Sequence, residues 1–364
     1  MYMRIALIVA AVAAVCCPAL AAEKPRIEVA FVLDSTGSMG GLIEGAKQKI
    51  WSIANDFVSR KPSPDLRIGL VTYRDRGDEY ITKSFELTDD IDTVYTNLRS
   101  FSAGGGGDGP ESVNQALDDA VHKLHWSKGD GSLRVIFLVG DYPPHMDYKN
   151  DVKYQVSCQD AARQGIIINT IQCGTESSTT PVWQEIARLS EGQFVQLSQT
   201  GDMVAVTTPF DAQIAKLSGE VSTTVVTYGS ATAQHEAMSK MAMPSASPAP
   251  AAADRATYNL RSGGKAIQGR GDLLADMKEG TVKLEAVKEA DLPEDMKKLT
   301  PEQRRSYVQE QQAKRDKINT QLTELSRQRD DYIAAERKKA PANADSFDAR
   351  VSQIVAEQAA KRLK

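Results

Sequence analysis

Residues 33–39, LDSTGSM, follow the apolar run IEVAFV at 27–32 and place one acid and two hydroxyls, Asp34, Thr36 and Ser38, two positions apart. Side chains on a strand alternate between its faces, but a loop leaving the strand can turn all three toward one point. A carboxylate with two hydroxyls is an all-oxygen set, which suits a hard divalent cation. The same residues could instead cap the helix that follows. The stretch by itself leaves both uses open.

Outward from it, residues 26 to about 220 alternate apolar runs with amphipathic ones. RIEVAFVL, LRIGLVTY, LRVIFLVG, GIIINTIQC and QFVQLS read as strands, and YITKSFEL alternates as a half-exposed edge strand does. LIEGAKQKIWSIANDFV puts Ile43, Ala46, Ile50, Ile53, Ala54 and Phe57 on one helical stripe. ESVNQALDDAVHKL and YQVSCQDAARQG behave likewise, and TPVWQEIARLSEG opens with Thr180 as N-cap and Pro181 in the first turn. This alternation predicts an α/β fold, a doubly wound, mostly parallel sheet covered on both faces.

The flanks differ. Arg4, the apolar stretch IALIVAAVAAVCC and the small residues of PALAA form the pattern of a cleaved secretory signal over 1–22, too short for a membrane span. A lipid anchor on Cys16 or Cys17 is the alternative, which Val15 fits poorly. No later stretch is apolar enough to span a bilayer, so a periplasmic or secreted protein with no integral membrane segment is expected. Of the 4 cysteines, cleavage leaves Cys158 and Cys173. An oxidising compartment favours pairing them. Spacing opposes it: Cys158 lies roughly 9 Å before its helix end, and Cys173 roughly 23 Å along its strand.

Beyond the α/β region at 26–220, residues 221–254 read as a helix and a Pro/Ala-rich linker, MPSASPAPAAAD being extended. Residues 255–364 read as a helical C-terminal module. DLLADMKEG is a short helix capped by Asp272, and TPEQ at 300–303 is a capping box opening a long helix to about 339. Its seam of Ile318, Leu322, Leu325 and Tyr332 is interrupted by Arg329; a last segment carries Phe347, Val351, Ile354 and Val355 until Gln358 breaks the stripe. Two antiparallel helices closing these seams in coiled-coil fashion are expected. Acids outnumber bases over 26–210 and the reverse holds over 300–364; the net charge of −4 gives no call for nucleic acid.

A cation at Asp34 needs further ligands from neighbouring strand ends, where sites form in open parallel sheets. FLVGDYPPH puts Asp141 directly after its strand, and AGGGGDGPESVNQAL sets Asp108 and Glu111 at the mouth of a Gly-rich loop. First-turn dipole compensation is the bland use of Glu111. Three such loops in order are hard to explain as caps.

DSTGS with the later strand-end VGD resembles the von Willebrand factor type A domain and its metal-ion-dependent adhesion site, over roughly residues 26–220. The resemblance implies a Rossmann-like fold. It also implies Mg²⁺, with Ca²⁺ or Mn²⁺ as substitutes, held directly by Thr36 and Ser38 and through water by Asp34 and Asp141. Many members use a threonine in the middle loop; here Glu111 stands in its place. DGPE is similar to the integrin β-subunit version, which implies Glu111 on the central ion and Asp108, with the Pro110 carbonyl, on a second one. The tail from Gly271 is similar to the C-terminal region of bacterial secreted proteins carrying this domain.

Such a site would bind a protein ligand whose Asp or Glu completes the coordination, an adhesion or scaffold function without turnover. The loop of Tyr142, Pro143, Pro144, His145 and Tyr148 would form the rim, with His145 read as a surface residue. Alternatives are a scaffold whose helical tail carries the function beside a structural metal, and a metal-assisted hydrolase. The latter lacks an evident base, a Ser-His-Asp ordering or a phosphate loop. Two Arg-Gly-Asp triplets, 76–78 and 270–272, read as a charged loop and a helix cap.

Overall fold

The computed structural model describes residues 24–129, 131–203, 205–339 and 346–363. The expected signal segment, Cys16 and Cys17 lie outside them. Six strands, β1 (Arg26–Asp34), β2 (Asp65–Tyr73), β3 (Thr82–Thr88), β4 (Ser132–Gly140), β5 (Ile166–Cys173) and β6 (Phe194–Leu197), form one sheet in the order β3-β2-β1-β4-β5-β6. Neighbours run parallel except β2 and β3. All of β1 after Arg26 is buried, as expected of a central strand covered on both faces, whereas β3 alternates at the edge.

The helices of the α/β region are α1 (Gly40–Val58), α2 (Ile91–Arg99), α3 (Val113–His122), α4 (Tyr154–Arg163) and α5 (Thr179–Leu189). There follow α6 (Asp211–Ser222), α7 (Ala231–Met241), α8 (Met243–Ala246), α9 (Ala249–Arg261), α10 (Leu273–Lys278), α11 (Glu294–Lys297), α12 (Pro301–Lys339) and α13 (Phe347–Arg362). One sheet face packs Leu117, Cys158 and Trp183 of α3–α5 against Val32, Val71 and Leu138. The other packs the whole expected α1 stripe, Tyr95 of α2 and the α13 stripe against Phe31, Phe137 and Ile171. Phe31 lies 5.7 Å from the Phe137 ring and 6.2 Å from Phe347.

Three expectations are corrected. Residues 243–254 are not an extended linker: they form α8 and the start of α9, with prolines in both first turns. Ala251, Ala252, Ala253 and Ala256 are buried, and their small side chains let α9 lie close on α1 and α6. The tail helices do not close on each other. Leu322 of α12, with Ile318 and Leu325, packs on Ile214 and Leu217 of α6, while α13 covers the sheet. Gln358 sits buried on that face, exchanging hydrogen bonds with Asn169. Finally, α5 is preceded by Ser178 as N-cap residue, and the Thr180 hydroxyl donates to Gln172 instead.

The capping box at Thr300 and Gln303 is present, and Asp272 caps α10. Cys158 and Cys173 are free and lie in the cores of opposite sheet faces. Burial pushes the Cys158 thiol up to about 12 and the Cys173 thiol in the same direction. Among the described residues no helix is long and apolar enough to cross a membrane.

Candidate functional site

Register builds the site. Leu33 pairs with Val139 and Asp34 with Tyr73, so β1, β2 and β4 end level and release their loops side by side. The Asp34 carboxylate does not cap α1. Its Oδ1 accepts from the Thr36 amide at 2.8 Å and the Thr36 hydroxyl at 2.7 Å, and neither Thr36 nor Met39 gives a side-chain cap. Thr36 Oγ1 lies 3.3 Å from Ser38 Oγ, so the two hydroxyls face one point.

Glu111 is likewise no first-turn acid. Ser112 is the N-cap residue of α3, and the first turn of that helix holds no acid. The Glu111 main chain is stitched to the loop after β4: its amide donates to Pro143 O at 2.9 Å, and its carbonyl accepts from the His145 amide at 3.0 Å. Its buried carboxyl turns toward the first loop. Gly106 holds φ at 78°, a conformation that favours glycine, and a Cβ built on it would crowd Glu111 Oε1 and Thr36 Cβ at 3.1 Å. Asp141 completes the group, with Oδ2 accepting from Gln199 Nε2 at 2.8 Å.

Each of these three acids keeps one buried oxygen with no hydrogen-bond partner: Asp34 Oδ2, Glu111 Oε2 and Asp141 Oδ1. Buried acceptors are nearly always satisfied, so three orphans from three loops mark a place for a cation. The electrostatics agree. Burial and then the Asp141 charge push Asp34 up to about 7. Burial and the charges of Asp34, Asp75, Asp141 and Asp78 push Glu111 up to about 9. Hydroxyl and carboxylate oxygens are the donors that Mg²⁺, Ca²⁺ and Mn²⁺ take, so the residues fit a hard divalent ion.

Asp108 stands apart from this group. Its side chain is largely exposed and lies near His145 and Asp75. His145 is not the surface residue expected of a lone loop histidine; it is 8% exposed. Sequence reading also passed over Asp75, Asp78 and Gln199. Asp75 stands two residues past the end of β2, near the strand end as Asp34 and Asp141 are near theirs, a signal that the neighbouring charges of RDRGD obscured. Asp78 accepts from the Gly106 amide at 3.1 Å and so shapes the middle loop, an arrangement no spacing in the sequence announces.

Residues 28–199 match the family described as von Willebrand factor A domain. An ariadne-like RING finger protein of Acanthamoeba polyphaga mimivirus is 21% identical over 198 residues, 50% of this chain and 19% of its own length. The alpha-protein kinase vwkA of Dictyostelium discoideum is 27% identical over 120 residues, 33% of this chain and again 19% of its own. The chain thus spans about a fifth of the length of these curated relatives. Among solved structures, the SpRpn10 VWA domain aligns over 49% of this chain and 91% of that one, at 16% identity and TM-score 0.37. Proximal thread matrix protein 1 of the mussel byssus, with a zinc-occupied MIDAS motif, aligns over 48% and 42% at 18% identity and TM-score 0.37.

Proposed function

Residues 28–199 form a von Willebrand factor A domain, and from that premise we propose that the pocket at the ends of β1 and β4 holds Mg²⁺ and docks a partner protein through its Asp or Glu side chain. Domains of this family mediate protein–protein interaction and metal-dependent binding. Thr36, Ser38 and Glu111 are the residues assigned to hold the ion directly; Asp34, which orients the Thr36 hydroxyl, and Asp141 would act through water. The bound ion would supply a point of positive charge with near-octahedral demands, on which an incoming carboxylate makes a short, directional contact. The observation that carries this reading is the trio of orphaned carboxylate oxygens contributed by three separate loops.

The chain's own residues set the selectivity. Thr36 and Ser38 are neutral, so these two ligands would add no charge of their own to the ion's coordination. Gln199 Nε2 fixes the Asp141 carboxylate, and the Tyr73 hydroxyl donates to the Val139 carbonyl just before it in the chain. Met146, beside His145, is 47% exposed and offers apolar contact area at the rim. On the sequence of residues 1–22 we place the mature protein in the periplasm or outside the cell; N-terminal sequencing of the mature chain checks this.

The test is capture of partners by the full mature chain in Mg²⁺ and in chelator, with Glu111→Ala alongside and Mg²⁺ titrated calorimetrically into both proteins. Loss of Mg²⁺ heat and of partners together in the variant is expected. Partners retained under chelation would favour the tail-borne scaffold, and absence of Mg²⁺ binding in the wild type would remove the reading.

A further inference from the structure

Next to the oxygen pocket, a second set of donors converges that includes nitrogen. Asp75 lies two residues past β2, Asp108 in the Gly-rich loop before α3, and His145 in the loop after β4. One donor atom from each lies within 4.8 Å of the other two. His145 Nε2 is 3.4 Å from Asp75 Oδ2 and 3.7 Å from Asp108 Oδ1. Ligand atoms about 2.0–2.1 Å from a tetrahedral ion stand roughly 3.3–3.4 Å apart, close to these separations.

The histidine is held for this use. Its side chain is more than nine-tenths buried, and Nε2 has no hydrogen-bond partner. Nδ1 lies 2.9 Å from Asp147 Oδ1, a carboxylate oxygen that accepts, so Nδ1 carries a hydrogen, and in the neutral ring Nε2 holds the lone pair. The ring stacks on Tyr148 at 4.1 Å, and Asn114 Nδ2 donates to the His145 carbonyl at 2.8 Å. Asp75 is oriented as firmly, accepting from Ser112 Oγ at 2.9 Å and Tyr148 OH at 2.8 Å. A lone pair and two carboxylates aimed at one another repel unless a metal ion lies between them or a proton sits on Nε2. A ligating imidazole whose other nitrogen donates to a carboxylate is the usual supporting arrangement of a metal site.

We propose that Asp75, Asp108 and His145 form a second metal site, which takes a nitrogen-accepting divalent ion of the Zn²⁺ class. Imidazole selects such ions over Mg²⁺ and Ca²⁺, which the neighbouring all-oxygen pocket suits. Asp108, with its side chain 65% exposed, is the open side of the site and leaves a position for water or a partner group. Asp147 acts as a positioning residue. This assignment does not depend on the Mg²⁺ reading.

The test titrates Zn²⁺ alone into the full mature chain in a large excess of Mg²⁺, with bound zinc measured after dialysis and Co²⁺ used as an optical stand-in. Wild type and Ser38→Ala should each retain one Zn²⁺ equivalent. Asp108→Asn, at an exposed side chain that leaves the fold intact, and His145→Gln should weaken it at least tenfold, and Asp147→Asn by roughly ten- to a hundredfold. Loss of the zinc in Ser38→Ala, or its indifference to both Asp108→Asn and His145→Gln, overturns the proposal. So does a nitrogen-detected NMR spectrum showing His145 doubly protonated near neutral pH with no zinc taken up, since the histidine would then be an ion-pair partner.

Discussion

Two regions of this molecule bury carboxylates, and they treat them in opposite ways. Where the helices beyond the sheet pack, four acids are each matched by an arginine of those helices, while Asp348 meets Lys49 and Asp276 accepts from the Tyr228 hydroxyl and the Gly271 amide. Asp92 is paired with Arg255 at 2.6 Å, Asp211 and Asp254 share Arg329 at 2.7 and 2.6 Å, and Asp272 meets Arg315 at 2.6 Å. Burial pushes Asp254 and Asp272 upward, and the arginines oppose it. At the ends of β1 and β4, Asp34, Glu111 and Asp141 gather with no basic side chain bonded to them and an orphaned oxygen each. Acids that hold the fold together bring their cation within the chain; acids at the strand ends are arranged for one from outside.

The sharpest way to break this contrast is to remove a built-in cation. Arg329→Met leaves two acids facing each other in the interior and should cost about 3–5 kcal/mol, with no dependence on divalent ions. Urea unfolding measures it, and a loss under about 1 kcal/mol would mean the arginine is not what makes the interface tolerable. Next comes the external cation. Mg²⁺ at about a hundredfold excess over its Kd should add about 2.7 kcal/mol relative to chelated protein. Equal melting temperatures in Mg²⁺ and chelator would erase the difference between the regions.

Glu111→Gln sharpens the comparison from the other direction. Glu111, pushed up to about 9, must take up a proton to fold without metal near neutral pH, whereas the amide needs none, so the variant should be more stable than wild type in chelator by about 1–2 kcal/mol and lose the response to Mg²⁺. A variant that is both less stable without metal and still Mg²⁺-responsive would contradict the assigned role. The smallest effect belongs to a pair outside both regions. Arg362 and Glu191 meet at 2.8 Å near the surface, and Arg362→Gln should change stability by about 0–1 kcal/mol. A larger loss in denaturant titration would show that solvent does not screen it.

Much of this was legible in the sequence where one element decides its own fate. The apolar runs became the strands, the α1 stripe is buried residue for residue, and Asp34 and Asp141 leave side by side because β1 and β4 end level. What escaped depended on partners. MPSASPAPAAAD has the composition of an extended linker, yet its alanines are the only side chains small enough for α9 to lie on α1 and α6. The α13 stripe was visible, but not that it faces the sheet and not α12. Arg329 looked like an interruption because its two acids are more than seventy residues away. The burial of His145 follows from the Asn114 and Tyr148 contacts, which no periodicity encodes.

The placement of α13 has a consequence for how the chain reaches its native state. Phe347, Val351, Ile354 and Val355 lie directly against strands laid down near the beginning of synthesis. Until those residues leave the ribosome, that side of the central strands is covered by α1 and α2 alone, and Phe31 lacks its Phe347 neighbour. Closing this face therefore waits for α13, well downstream of all six strands in the chain. A fragment trimmed to the family-matched segment would inherit that half-covered side permanently and should associate through it.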